Sequence, residues 1–276
     1  MTPRSPSRQK MKKIAIVGVT GARNRGVEAL VVSTILGLRQ QFGAVRVTIV
    51  TEDADFDRWR FAGEPDVAVL PSATCLFGSV RWRPLVGLML LGIGRLSQRR
   101  RAVLEAIKDA DLVVLSGGDM LSSDYSTRSL RRSLDWAHIA AALGVKCCAL
   151  GQSIGPFRGH EHERLWTSAA ERFDLVTYRE SRSYAVLAAA PLPQGRRHEV
   201  TADCAFLLPR LEGEAADRLA GYYGLQEGSR AAVVVPSVGI CRYGKQDAAA
   251  HTTALVTLVE RLLATGVERV LLIPHV

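Results

Sequence analysis

The sequence predicts an α/β protein built on a parallel sheet of Rossmann-like βα units. Short apolar runs typical of buried strands alternate with amphipathic segments typical of helices. Glycine-containing polar turns follow several of these apolar runs. Over 276 residues, 47% are apolar and 23% are charged, which is ordinary for a globular protein with a substantial core.

The first elements already define the sheet. An apolar strand at 14–19 leads through a glycine-containing turn into a helix at 28–41 and a strand at 45–51. This order predicts two parallel strands joined by a right-handed crossover. The later strands predicted for this sheet are 67–70, 111–115, 146–150, 175–178 and 200–202. The later helices are 98–108, 129–143 (ended by Gly144), 161–172 and 182–190.

The composition predicts two domains. The predicted segments are a polar tail at 1–11, an N-terminal Rossmann-like domain at 12–208, a linker at 209–228 with one helical segment, and the start of a C-terminal Rossmann-like domain at 229–276. The last segment contains strands at 231–236 and 269–274 around a helix at 248–265. Two strands and one helix are too few for an independent domain. Either they join the first sheet or the chain is a fragment of a longer protein, and we favour the fragment.

Charge and cysteine usage narrow the class of function. A net charge of +9 fits an anionic substrate, an anionic membrane or nucleic acid. Nucleic acid is the least favoured of the three, because the basic residues are scattered and are not interleaved with aromatic residues. The five cysteines form no CxxC pair and lie in apolar runs, which indicates reduced thiols in a cytoplasmic protein and no metal site. No secretory signal is visible.

One apolar segment, 85–94, is flanked by arginines within 81–101. It is shorter than the roughly 20 residues needed to span a bilayer. The segment could make a peripheral membrane contact that serves a lipid-linked substrate. We favour the alternative, a helix packed on the core or on a partner chain.

Three turns at the carboxyl ends of predicted strands form the candidate site, because ligands of open parallel sheets bind at that edge. The first turn contains Asn24, Arg25, Gly26 and Glu28 and opens a helix, so its N–H groups and dipole favour an anion. It lacks the GxGxxG pattern and therefore does not indicate a dinucleotide. A plain turn capped by Asn24 explains it equally well.

The other two turns are also ambiguous when each is taken alone. Gly117 and Gly118 follow the strand at 111–115 and would let a ligand lie against bare backbone. The third turn follows the strand at 146–150. It contains Gln152 and Ser153, which could hydrogen-bond a sugar or a phosphate, and Gly155. Ordinary turn chemistry accounts for both turns as well.

The three turns, in this order, resemble those of the polysaccharide pyruvyl transferase family. In that family the first turn reads N-x-G-D-E-A, and here Val27 replaces the acidic residue after Gly26. The further matching segments are the GG turn at 116–119, Gln-x-Ile-Gly-Pro at 152–156, Arg-Asp/Glu-x-x-Ser at 179–183, Ala-Asp-x-Ala-Phe at 202–206 and Ile-Pro-His at 273–275. Family members are longer and resemble two-domain GT-B enzymes, so the resemblance implies a GT-B-like architecture whose second domain is incomplete here.

The resemblance implies a cytoplasmic enzyme of exopolysaccharide biosynthesis; whether it lies at the inner face of the membrane stays open. It would transfer a pyruvyl group from phosphoenolpyruvate to a sugar or a lipid-linked oligosaccharide, form a ketal, release phosphate and need no further cofactor. Whether it forms a homo-oligomer stays open. A GT-B glycosyltransferase using a nucleotide sugar and a non-catalytic truncated relative are the alternatives.

Two residues are the catalytic candidates under this interpretation. Arg179 would bind the anionic groups of the donor, because a guanidinium pairs with both carboxylate and phosphate. His275 would act as an acid–base group or contact the phosphate. The alternative for Arg179 is a salt bridge to Asp174 or Glu180, and the alternative for His275 is an ordinary exposed histidine. Arg242 and Lys245, after the strand at 231–236, are further candidates for substrate binding.

Overall fold

The computed structural model describes residues 11–72, 98–188, 196–239, 241 and 247–274. The chain divides into two compact units, Met1–Leu208 and Pro209–Val276. The stretch predicted as a linker, 209–228, contains a helix and is grouped with the second unit.

The first unit is a parallel sheet with helices on both faces. Its strands are β1 (Lys12–Val19), β2 (Val45–Thr51), β3 (Val67–Pro71), β4 (Leu112–Leu115), β5 (Gly118–Leu121), β6 (Cys147–Ile154), β7 (Leu175–Tyr178) and β8 (Arg197–Val200). Its helices are α1 (Arg25–Phe42), α2 (Ala54–Arg60), α3 (Gln98–Lys108), α4 (Thr127–Ala142), α5 (His160–Ala170) and α6 (Ser181–Ala188), followed by a 3₁₀ helix at Cys204–Leu207.

The strand order is β3-β2-β1-β4-β6-β7-β8, with β5 paired to the end of β6. The pairs between described strands are parallel, as in β1 and β4, where Ile14 faces Leu112. This confirms the predicted Rossmann-like fold class for the first unit. From β1 the chain proceeds outward to β2 and β3, and it then crosses back to continue on the other side through β4.

The core lies on both faces of this sheet because successive strand residues point to opposite sides. On one face, Ile14 and Ile16 of β1 pack in a cluster with apolar residues of α1. On the other face, Ala15 and Val17 pack in a second cluster with α3, α4 and α5. Both faces are therefore covered, as a parallel sheet requires.

Three local differences from the sequence prediction affect the site. Helix α2 was not predicted; it is a short segment begun by Asp53, whose side chain accepts from the amide of Phe56. Strand β5 was predicted as part of a turn and instead adds to the end of β6. Strand β6 continues to Ile154, so Gln152 and Ser153 lie in the strand and not in the turn after it.

The second unit contains α7 (Glu214–Tyr222), β9 (Ala231–Val234), α8 (Ala248–Ala264) and β10 (Arg269–Leu272). Strands β9 and β10 are parallel, with Ala231 opposite Arg269. This is the βαβ unit predicted from the sequence.

Candidate functional site

The turns of interest lie at one edge of the sheet, since parallel strands end at the same edge. Between β1 and β4 the chain reverses its direction of progress across the sheet, which is where ligands of this fold class bind. A small cavity of about 30 Å³ lies at the end of β1. It is lined in part by Thr20, Glu52, Arg132 and Trp136.

Two aspartates, Asp53 at the N-cap of α2 and Asp57 within α2, contact the first turn. Gly21 has φ +127°, and a Cβ there would lie 2.8 Å from the Cβ of Asp53. The carboxylate of Asp53 also pairs with Arg23, with a 2.6 Å contact to Nε. The fully buried Asp57 accepts from the amide of Ala22 at 2.8 Å. These two aspartates thus hold the backbone that leads into α1.

Within the first turn, the predicted ligand residues contact one another. Asn24 caps α1 by accepting from the amides of Gly26 at 2.9 Å and Val27 at 3.3 Å. Arg25 pairs with Glu28 at 2.6 Å while its own side chain is 75% exposed. The capping role, one of the two interpretations left open, is therefore present in the structure.

Glu28 is held by two arginines, one from its own helix and one from α2. Its side chain is 13% exposed and pairs with both Arg25 and Arg60. Burial by itself raises the pKa of Glu28, but the hydrogen bonds from Arg25 and Arg60 outweigh it and leave that pKa below its ordinary value. The ionised carboxylate therefore links α1 to α2.

The second turn depends on close backbone approach. A Cβ on Gly117 would lie 2.9 Å from the carbonyl oxygen of Leu150 and 3.1 Å from that of Gly151. Gly118, at φ +135°, begins β5. The lack of a side chain at Gly117 thus allows the end of β4 to pack against β6.

Gln152 joins the second and third turns from inside the protein. It is 1% exposed. Its side-chain amide donates to the carbonyl oxygens of Ser116 at 2.7 Å, Leu150 at 3.2 Å and Leu115 at 3.4 Å. The amide group is therefore occupied by the protein backbone. Gly155, at φ +78°, follows the end of β6 and donates its amide to Leu121 at 2.9 Å.

Arg179 is a charged group at this edge that several contacts hold in place. It follows β7, and its backbone amide donates to the carbonyl of Gln152 at 3.1 Å. Its Nε donates to the hydroxyl of Ser153 at 2.6 Å, and one terminal nitrogen donates to Asp203 at 2.9 Å. The side chain is 27% exposed. A guanidinium has five N–H donors, so several remain for a ligand.

The acids around Arg179 fix its position. Asp203 also caps the 3₁₀ helix through the amide of Ala205 at 2.8 Å. Glu180 lies 3.7 Å from the Arg179 Nε and accepts from Ser153 at 3.0 Å. A second hydroxyl, that of Ser183, donates to Glu180 and accepts from the amide of Ile154 at 2.9 Å. We name Ser153, Arg179, Glu180, Ser183 and Asp203 the Arg179 network.

Three predicted site residues, Arg242, Lys245 and His275, lie outside the described residues, and so does the apolar segment 85–94. No helix in the described ranges is long and apolar enough to cross a membrane. Within the same ranges, no group of three or more His, Cys, Asp or Glu side chains could hold a metal ion.

The sequence prediction missed the partners that shape this edge. Asp57 and Arg60 lie some thirty residues after the turn that they hold, on a helix that was not predicted. Arg132 lines the cavity at the end of β1 and lies 3.8 Å from Glu52. Its position on α4 carries no sequence signal, because one arginine among several on a helix is usually a solvated residue.

The comparison with protein families gives one match over most of the chain. The family model described as polysaccharide pyruvyl transferase matches residues 24–254. This range includes all three turns and the Arg179 network. No curated protein matches the sequence.

Among solved structures, the chain is similar to a Listeria monocytogenes protein provisionally assigned as a UDP-N-acetylglucosamine 2-epimerase. The sequence identity is 12% and the TM-score is 0.42. The match covers 83% of this chain and 54% of the other, so the chain spans about half the length of that structure.

Proposed function

The chain belongs to the polysaccharide pyruvyl transferase family, and from this premise we propose that it transfers a pyruvyl group from phosphoenolpyruvate to a sugar. The acceptor would be a surface polysaccharide or its lipid-linked precursor. The product would be a cyclic ketal in which one carbon carries two sugar oxygens. The donor itself supplies the transferred group, so the proposal includes no resident cofactor.

The proposed reaction sets clear demands on the site. Two sugar hydroxyls form bonds from oxygen to the central carbon of the donor, and the bond from that carbon to the phosphate oxygen breaks. Of the two hydroxyl protons, one reaches the methylene carbon, which becomes a methyl group, and the other leaves with phosphate. The site must therefore bind a carboxylate and a phosphate, and it must stabilise negative charge on the departing phosphate.

The observation that carries the proposal is the position of Arg179. Two contacts, to Ser153 and Asp203, orient its guanidinium at the carboxyl edge while several N–H donors remain for a ligand. Such preorganisation favours binding of a planar carboxylate or a tetrahedral phosphate, because the N–H groups of Arg179 are already oriented before the ligand binds. Its pair with Asp203 offsets part of its charge, so we expect the donor to bind the remaining N–H groups.

Isothermal titration calorimetry with phosphoenolpyruvate, inorganic phosphate and UDP tests the proposal. We expect phosphoenolpyruvate binding to depend on Arg179 and UDP to show no binding that depends on Arg179. Arg179→Ala should weaken phosphoenolpyruvate binding at least tenfold, since a hydrogen bond between charged groups contributes about 1.5–3 kcal/mol. Arg179→Lys should show a smaller loss, because lysine keeps the positive charge but lacks the paired N–H groups of a guanidinium.

Arg182→Ala is the matched control. Arg182 lies three residues further along the chain and is exposed. Its replacement by alanine removes the same charge as Arg179→Ala. The variant should bind phosphoenolpyruvate within about twofold of the unaltered protein. Arg179-dependent binding of UDP in place of phosphoenolpyruvate, or equal losses in the two alanine variants, would contradict the proposal. Circular dichroism on each variant separates loss of binding from loss of fold.

A further inference from the structure

A second cavity, of about 390 Å³, lies beside α4 and the start of α5. Half of its lining residues are arginines, and none belongs to the Arg179 network. The lining residues are Thr127, Arg128, Arg131, Arg132, Asp135 and Glu161. We name this space the arginine cavity. Its volume falls in the range of small-molecule sites, roughly 300–1,000 Å³.

The arginines of this cavity lie near the N-terminal end of α4, where the helix dipole disfavours positive charge. Arg128, Arg131 and Arg132 are spaced so that they share one side of the first two turns of α4. The N-terminal turn of a helix favours negative side chains, but the first turn of α4 contains no acidic residue. An anion bound in the cavity would offset both the helix dipole and the repulsion between the guanidiniums.

The ion pairs made by these arginines leave room for a ligand. Arg131 contacts Glu161 at 3.1 Å, but both side chains are about half exposed. Such exposed pairs contribute about 1 kcal/mol at most, so a ligand can replace Glu161. Arg128 forms no ion pair with another described residue and is exposed.

We propose that the arginine cavity binds a phosphate-bearing small molecule through Arg128 and Arg131. Two guanidinium groups can together contact the several oxygens of a tetrahedral phosphate, and a single carboxylate offers fewer oxygens to them. The carboxylate of Glu161, which also lines the cavity, disfavours an extended polyanion such as nucleic acid. This site does not depend on the pyruvyl transfer proposed above.

The surroundings add two features suited to a phosphate ester. Asp135 is partly buried, and burial raises its pKa to about 6 despite the charge of Arg131, so its protonated form is accessible near neutral pH and can donate to a phosphate oxygen. Arg132 lines both this cavity and the small cavity at the end of β1. The rest of a bound ester would therefore extend toward the carboxyl edge of the sheet.

Titration calorimetry at low salt with inorganic phosphate, diphosphate and glucose 1-phosphate tests the assignment. We expect at least one of these probes to bind, and its identity distinguishes a free phosphate from a diphosphate or a sugar ester. Arg128→Ala and Arg131→Ala should each weaken that binding about tenfold. Arg131→Lys should show a smaller loss because it keeps the charge.

Arg164→Ala is the control, because it removes the same charge from the neighbouring α5. Arg164 is exposed and does not line the cavity. The control variant should leave the affinity within about twofold. Absence of binding by all three probes, or an equal loss in the control, would overturn the proposal. Arg179→Ala should leave unchanged the part of probe binding that depends on Arg128 and Arg131. Loss of that part in Arg179→Ala would assign the phosphate to the Arg179 network, which would also overturn the proposal.

Discussion

The guanidinium of Arg179 donates to the carboxylate of Asp203 at 2.9 Å, and this contact ties the segment after β7 to the segment after β8. Both side chains are about one-quarter exposed. Asp203 has a second role, because its other oxygen accepts from the amide of Ala205. The pair therefore links a candidate ligand-binding group to the local fold.

Asp203→Asn separates the two roles of this residue. Asparagine keeps an acceptor for the Ala205 amide but loses the charge that faces Arg179. We expect the free energy of unfolding to fall by about 1 kcal/mol, and by about 2–3 kcal/mol in Asp203→Ala, which also removes the cap. Urea denaturation measures both. Equal effects of the two substitutions would show that the charge dominates and the cap does not.

Gln152→Leu tests whether Gln152 serves the fold. The substitution leaves the carbonyl of Ser116 without the 2.7 Å hydrogen bond in a buried environment. We expect a loss of about 2 kcal/mol in the free energy of unfolding, measured by urea denaturation. A fully stable Gln152→Leu variant would contradict the structural role.

The fold of the first unit could be predicted well because the sheet is buried on both sides. Continuous apolar runs such as 14–19 and 112–115 identify strands, and the amphipathic segments between them identify crossover helices. The exceptions are short or begin with glycine. Helix α2 has only seven residues, and β5 starts at Gly118 and gains its hydrogen bonds from the end of β6.

The candidate site was predictable in position but not in its contacts. The sequence places Asn24, Gly117 and Arg179 after strands, and topology then brings them to one edge. The partners are distant in sequence: Asp57 contacts Ala22, and Asp203 contacts Arg179. Only the packing of α2 and of the segment after β8 determines those contacts, and neither leaves a periodic signal.

Gly117→Ala tests the close packing of β4 against β6. The new methyl group would meet two backbone carbonyl oxygens, of Leu150 and Gly151, that cannot move independently of β6. We expect the free energy of unfolding to fall by about 1–3 kcal/mol. Gly63→Ala is the control, because nothing lies within 4 Å of its Cβ position. A thermal melt should show a lower Tm for Gly117→Ala and little change for the control; similar melts would contradict the packing argument.

Asp135 gives a prediction about pH. Burial raises its pKa from 3.8 to about 6, even though Arg131 acts in the opposite direction. Arg128 and Arg132 from α4 and Glu161 from α5 line the same cavity. The folded protein therefore keeps the proton over a range in which the unfolded chain has lost it. The stability that this contributes is fully present below about pH 4 and is lost as the pH rises through about 6.

Asp135→Asn removes this ionisation and should isolate its effect. Below about pH 4 the variant and the unaltered protein should have similar Tm values. Above about pH 6 the variant should be more stable by about 1 kcal/mol, after allowance for solvent screening of a partly exposed group. For a domain of this size, that corresponds to a Tm increase of about 2–4 °C. A Tm difference that does not change between these pH values would mean that the pKa of Asp135 is the same in the folded and unfolded protein, because Arg131 and the other arginines of the cavity would then cancel the effect of burial.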